Sequence, residues 1–226
     1  DGIPSIDRPQ FVDIEEAAGW LGDREPVQIV EVGDDVRAYP THILMWHEIV
    51  NDTVGGAPVA VTYCPLCNTA IVFSRSIPGL GTVEFGVTGN LYESAMVMYD
   101  RTTESWFWQV SGEGIVGELT DVRLEALPSV LVSFEEFRRS YPDGQVLSRE
   151  TGFERDYGNN PYVGYDTGEP FFSQGRDDER LSAMERVVTI ELNGTAIAIP
   201  FSVLPEEPVI TTTIGGDPIV VFYRPG

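Results

Sequence analysis

Residues Val27–Tyr63 of this 226-residue chain recur at Val187–Tyr223, always 160 positions further on and without a gap. Eleven of the thirty-seven pairs are identical, among them Pro40/Pro200, Gly55/Gly215, Gly56/Gly216, Pro58/Pro218 and Tyr63/Tyr223, and seven more only exchange Val, Ile and Leu. One register held this long marks a structural duplication, because turns, fixed backbone angles and core volume are conserved together. Each copy reads as a hairpin (Val27–Val32 with Val36–Tyr39; Val187–Leu192 with Thr195–Ile199), a proline-started helical turn, then strand, Gly-Gly turn and strand.

The fold class that follows is α+β and β-rich: antiparallel sheets, few short helices and an internally duplicated strand–turn–strand unit over 27–63 and 187–223. A single domain over 1–226 is expected. Beyond the copies, Asp13–Leu21 reads as a helix capped by Asp13, and Thr82–Thr88, Ser94–Tyr99 and Ser105–Val110 as antiparallel strands. Ser133–Ser140 reads as a helix capped by Ser133, with Glu136 at the box position. The stretch Thr151–Asp178, rich in Gly, Asn, Asp and Tyr, reads as a functional loop over or beside the first copy.

Where the copies differ, chemistry is concentrated. His42, His47 and Cys64 of the first copy face Ser202, Glu207 and Arg224 of the second, and Cys67 has no counterpart. These are both histidines and both cysteines of the chain. Ala57–Tyr63 and Asn68–Ser74 read as strands, which makes Cys64-Pro-Leu-Cys67 a hairpin turn, with Asn68 able to adopt a left-handed backbone. The turn resembles the knuckle of rubredoxins and zinc ribbons, with Asn68 at the usual glycine. It does not resemble a thioredoxin pair, which opens a helix.

Two thiolates and an imidazole suit a transition metal, zinc or copper, so His47, Cys64 and Cys67 are the candidate ligands, with a fourth position open or filled by oxygen. His42 is five residues from His47, about 140° around a helix axis, and is not expected on the same ion. Asp100, Arg101 and Glu104 are the candidate catalytic residues: an acid as general base or fourth ligand, the arginine to hold an anionic substrate. Two other readings stay open. One is a thiol–disulfide oxidoreductase, with Cys64 the more exposed thiol and His47 stabilising its thiolate. The other is a non-catalytic binding or structural module.

Thirty-six acidic residues stand against fourteen basic ones, for a net charge of −22, and every basic residue is arginine. Such a surface excludes nucleic acid as a partner, since phosphate binding needs a basic face. It also suggests a halophile, where salt near 1 M shortens the Debye length to about 3 Å. No run approaches the roughly 18 apolar residues of a spanning helix, so this segment is not expected to insert in a membrane. Whether the partner is a small molecule or a protein is left open.

Trp46-His-Glu-Ile-Val-Asn-Asp52, Thr62-Tyr-Cys-Pro-Leu-Cys67, Leu91-Tyr-Glu-Ser94, Met96-Val-Met-Tyr-Asp-Arg101 and Thr103-Glu-Ser-Trp106 together resemble the family known as domain of unknown function 3179. The resemblance runs from Ile3-Pro4 to about Tyr162. It implies a bacterial or archaeal protein, exported or membrane-anchored through a segment not in this chain, with a cytoplasmic location still open. It also implies motif positions at His47, Cys64, Cys67, Tyr92, Asp100, Glu104 and Trp106. It implies no particular reaction.

Overall fold

The computed structural model describes residues 2–165 and 179–224. In chain order its elements are β1 (Phe11–Val12), α1 (Ile14–Ala17), β2 (Pro26–Val32), β3 (Asp35–Pro40), α2 (Thr41–His47), β4 (Ile49–Val54), β5 (Ala57–Cys64) and β6 (Thr69–Ser74). There follow β7 (Ser76–Ile77), β8 (Gly81–Thr82), β9 (Phe85–Tyr92), β10 (Ala95–Asp100), β11 (Trp106–Trp108), β12 (Glu113–Val116), β13 (Ala126–Leu127), β14 (Val130–Ser133), α3 (Phe134–Ser140) and β15 (Gln145–Leu147). The last four are β16 (Val187–Leu192), β17 (Thr195–Pro200), β18 (Val209–Ile214) and β19 (Asp217–Phe222). The chain is β-rich, with antiparallel sheets and few short helices; β15 and β3 form a parallel pair.

The chain divides into two compact units, one covering residues up to 163 and the other residues 164–165 and 179–224 among those described. The first holds Val27–Tyr63 and the second its repeat. Pairing shows the repeat directly: Val27 lies opposite Pro40 and Val187 opposite Pro200, while Val54 lies opposite Ala57 and Ile214 opposite Asp217.

In the first unit three sheets are layered. One has the order β1-β15-β3-β2-β14, the second β13-β6-β5-β4 and the third β12-β11-β10-β9. The second lies in the middle, because alternate β5 residues enter different cores. Val59, Val61 and Tyr63 join Val30, Tyr39 and Leu44, whereas Ala60 and Cys64 join Phe85, Met96, Met98 and Phe107. A strand buried on both faces needs apolar residues at successive positions, and Val59–Val61 supplies them. A third core packs Ala17 and Leu21 with Phe134 and Phe137 against Val27 and Ile29.

The caps are as the sequence predicts. Asp13 accepts the Glu16 amide at the start of α1, and Ser133 accepts the Glu136 amide at the start of α3. The first helix ends at Ala17, short of Leu21. The loop reading for Thr151–Asp178 is described only to residue 165; residues 166–178 lie outside the described residues.

Candidate functional site

The β5–β6 hairpin carries the cysteines. Cys64 pairs with Thr69 as its last rung, and Pro65–Asn68 closes the loop. Asn68 stands at φ 47°, the left-handed conformation that this turn requires and that asparagine tolerates. The Tyr63 hydroxyl donates to Asn68 Oδ1 over 2.9 Å, and the Thr69 hydroxyl to the Cys67 carbonyl over 3.0 Å, which hold the loop from both sides.

Cys64 and Cys67 are joined as a disulfide, with Cα atoms 5.6 Å apart. Their surroundings differ. Cys64 is 1% exposed and packs in the apolar cluster of Phe73, Met96 and Phe107, while Cys67 is exposed. This corrects the expectation that Cys64 is the more accessible sulfur. Cys64 is still part of the strand and takes the face covered by β9–β11, whereas Cys67 has already passed the turn.

His47 closes the last turn of α2 and is fully buried. Its Nδ1 lies 2.7 Å from the Pro4 carbonyl and its Nε2 lies 2.7 Å from the Tyr157 hydroxyl. A carbonyl only accepts, so Nδ1 carries the proton and Nε2 accepts from Tyr157. The Tyr157 oxygen then accepts from Thr151, 2.5 Å away. Burial pushes the His47 pKa down, against the pull of the Pro4 carbonyl.

Both ring nitrogens are thus hydrogen-bonded within the protein, to the Pro4 carbonyl and the Tyr157 hydroxyl. Among the described residues no three His, Cys, Asp or Glu side chains are grouped to hold a metal ion. The structure therefore does not gather His47, Cys64 and Cys67 into one ligand set. His42 packs edge-on against Trp20, and burial, then the Arg149 charge, lower its pKa to about 4.

The other motif residues hold the chain together. Asp100 is fully buried and its carboxylate accepts the Thr102, Thr103 and Ser105 amides and the Thr103 hydroxyl. Arg101 bonds Asp7, Glu84 and Ser5, anchoring the N-terminal segment. Glu104 is exposed on a left-handed turn residue, φ 59°, whose amide bonds the Asp100 carbonyl. Asn51 stitches β4 to Phe85 through both ends of its amide, and Asp52 receives Arg37 and the Tyr39 hydroxyl. The candidate catalytic residues Asp100, Arg101 and Glu104 thus occur in these supporting roles, with Asp100 and Arg101 fully engaged.

Two residues that pattern reading passed over carry less satisfied polar groups. Glu48, just after α2, sits at φ 58° with its carboxyl buried. Burial raises its pKa to about 7, against a 3.4 Å hydrogen bond from the Tyr162 hydroxyl. Gln109 is fully buried, and its Oε1 has no partner. The signal for Glu48 was its place after a helix, where a left-handed residue is common. Nothing in the local sequence marks Gln109.

Backbone strain follows the motifs. Among the described residues seven non-glycine residues have positive φ. Glu48, Glu93, Ser94 and Glu104 fall inside the motif runs, and Asn68 directly follows one. Glu93 and Ser94 form the two-residue β9–β10 turn, a position that Asn-Gly fills without strain. Strain of this kind, of order 1 kcal/mol or more per residue, persists where the surroundings over-determine it, and it clusters at functional sites.

No curated protein and no solved structure matches the chain. The paired cysteines and four of the seven left-handed non-glycine residues among those described, Glu48, Glu93, Ser94 and Glu104, lie on the motif runs quoted above, and the family match covers residues 1–226. The chain belongs to the family described as protein of unknown function (DUF3179).

Proposed function

We propose that the Cys64–Cys67 pair is a thiol–disulfide exchange centre. The observation that carries this is the asymmetry of the disulfide: one sulfur exposed at a hairpin tip, the other buried beneath a sheet. An incoming thiolate has access to Sγ of Cys67. As its sulfur bonds to Cys67, the Cys64–Cys67 bond breaks, and the electron pair passes to Cys64, which takes up a proton. A second thiolate of the same partner then attacks the partner's own sulfur in the mixed disulfide. Cys67 is released as thiolate, the partner leaves oxidised, and two electrons have moved to the pair.

The pair stands as a disulfide in the fold, the oxidised form from which exchange begins. A persistent disulfide fits an oxidising compartment, which supports a site of action outside the cytoplasm. The acid-rich, lysine-free composition fits a high-salt environment. Zinc or copper binding at Cys64 and Cys67 would need the reduced pair and further ligands other than His47.

The test is equilibration of folded protein with graded mixtures of reduced and oxidised dithiothreitol, followed by alkylation. A reversible two-electron transition is expected, with Cys67 alkylated before Cys64. A Cys64→Ser variant should collect mixed disulfides through Cys67 and a Cys67→Ser variant should not. A pair that is reduced only after the protein unfolds would overturn the proposal.

A further inference from the structure

Gln109 donates from Nε2 to the Thr62 hydroxyl oxygen over 3.0 Å and to the Thr69 carbonyl over 3.2 Å. Both are acceptors here, because the Thr62 hydroxyl itself donates to the Ile71 carbonyl. The amide orientation is therefore fixed, and Oε1 is the end without a partner. Thr62 precedes Cys64 by two residues and shares its face of β5, and Thr69 is the cross-strand partner of Cys64. The two groups that hold the Gln109 amide thus flank Cys64 on the covered side of the hairpin.

A buried carbonyl oxygen without a donor is costly and calls for one. The Trp108 indole N–H is also buried and unpartnered, but Trp108 precedes Gln109 in the chain and stacks edge-on with Tyr92, ring centres 5.3 Å apart. A disulfide sulfur has no proton to give. A thiol has one.

We infer that Gln109 is the positioning residue of the pair, its Oε1 accepting a hydrogen bond from the Cys64 thiol once the disulfide is opened. This rests on the exchange reading above for its use, though not for its geometry. When a dithiol delivers two electrons and the Cys64 sulfur takes up its proton, the orphaned oxygen gains its donor. Gln109 therefore favours the reduced state, offsetting part of the cost of a buried thiol, and keeps the Cys64 sulfur facing the sheet while Cys67 carries the mixed disulfide.

The experiment begins with Cys67→Ser protein, which retains Cys64 as a lone thiol. Its S–H stretching band in the infrared should lie below that of a thiol in an apolar solvent, and return towards that position in Cys67→Ser/Gln109→Met. In the protein with both cysteines, Gln109→Met should move the equilibrium with dithiothreitol about threefold towards the disulfide, the scale of one weak hydrogen bond. A packing role would lower the melting temperature of both redox forms and leave band and equilibrium unchanged. An S–H band at the free position in Cys67→Ser protein overturns the inference, and this reading needs no Gln109 variant to fold. If the pair instead proves inert to external thiols, the exchange reading fails while the band still reports the Gln109 contact.

Discussion

Tyr157 donates its hydroxyl proton to Nε2 of His47 over 2.7 Å, and this bond joins the irregular segment after β15 to the last turn of α2. The same ring donates to the Pro4 carbonyl, so one imidazole ties both the N-terminal segment and the segment after β15 to the first copy. Removing the phenol leaves Nε2 buried and unpaired. Tyr157→Phe should therefore lose about 1–3 kcal/mol of stability, the cost of an orphaned buried acceptor. Urea unfolding with an unchanged m-value would measure it. A loss within experimental error would show that the chain from Thr151 through Tyr157 to His47 does not hold the segment.

Glu48 gives a pH dependence of defined sign. Its pKa rises from 4.5 in the unfolded chain to about 7 in the fold, so between these values the folded protein holds a proton that the unfolded chain has released. Its contribution is intact below the lower value, declines as pH rises through the window and is lost above it. Glu48→Gln removes the ionisation while keeping the shape. The variant should match the parent near pH ~4 and exceed it by about 2–3 kcal/mol near pH ~8. Parallel stability curves across that range would refute the assignment.

The duplicated glycines make a matched pair. Gly55 at φ +53° and Gly215 at φ +56° both present their α-carbon to a backbone carbonyl, that of Val32 and of Leu192, themselves 160 residues apart. A β-carbon at either position would overlap that oxygen. Gly56, at φ +83°, has open space around it. Gly55→Ala should then cost about 3 kcal/mol or more, combining strain with the backbone clash, and Gly56→Ala about 1–2 kcal/mol from strain alone. Equal melting temperatures for the two variants would contradict this difference.

Much of the framework was legible because it repeats. The pairing of Val27 with Pro40 and of Val187 with Pro200 is the 160-residue offset expressed as hydrogen bonds. Strand boundaries in the copies fell within a residue or two of expectation, since alternating side chains and turn glycines act locally. The site was half legible. Composition alone located Cys64 and Cys67, and the turn chemistry of Pro65 and Asn68 predicted the hairpin that carries them.

Which sulfur faces solvent, and what His47 does, were not legible. Cys64 is covered because β9–β11, twenty to forty residues downstream in sequence, fold over that face of β5. His47 is occupied because Pro4 and Tyr157, 43 and 110 residues away in sequence, supply its acceptor and its donor. Asp100 looked like an available acid until its own turn consumed the carboxylate.

The sequence by itself determined the duplicated antiparallel scaffold, the short capped helices and the hairpin that brings two cysteines together, because each depends on residues close in the chain or on a repeat of them. Only the tertiary structure decided that Cys64 is buried and Cys67 exposed, that both nitrogens of His47 are hydrogen-bonded to distant segments, and that Glu48 and Gln109 bear poorly satisfied polar groups. Burial and hydrogen-bond partnership are properties of what folds over a residue, and here those covering segments come from distant parts of the chain.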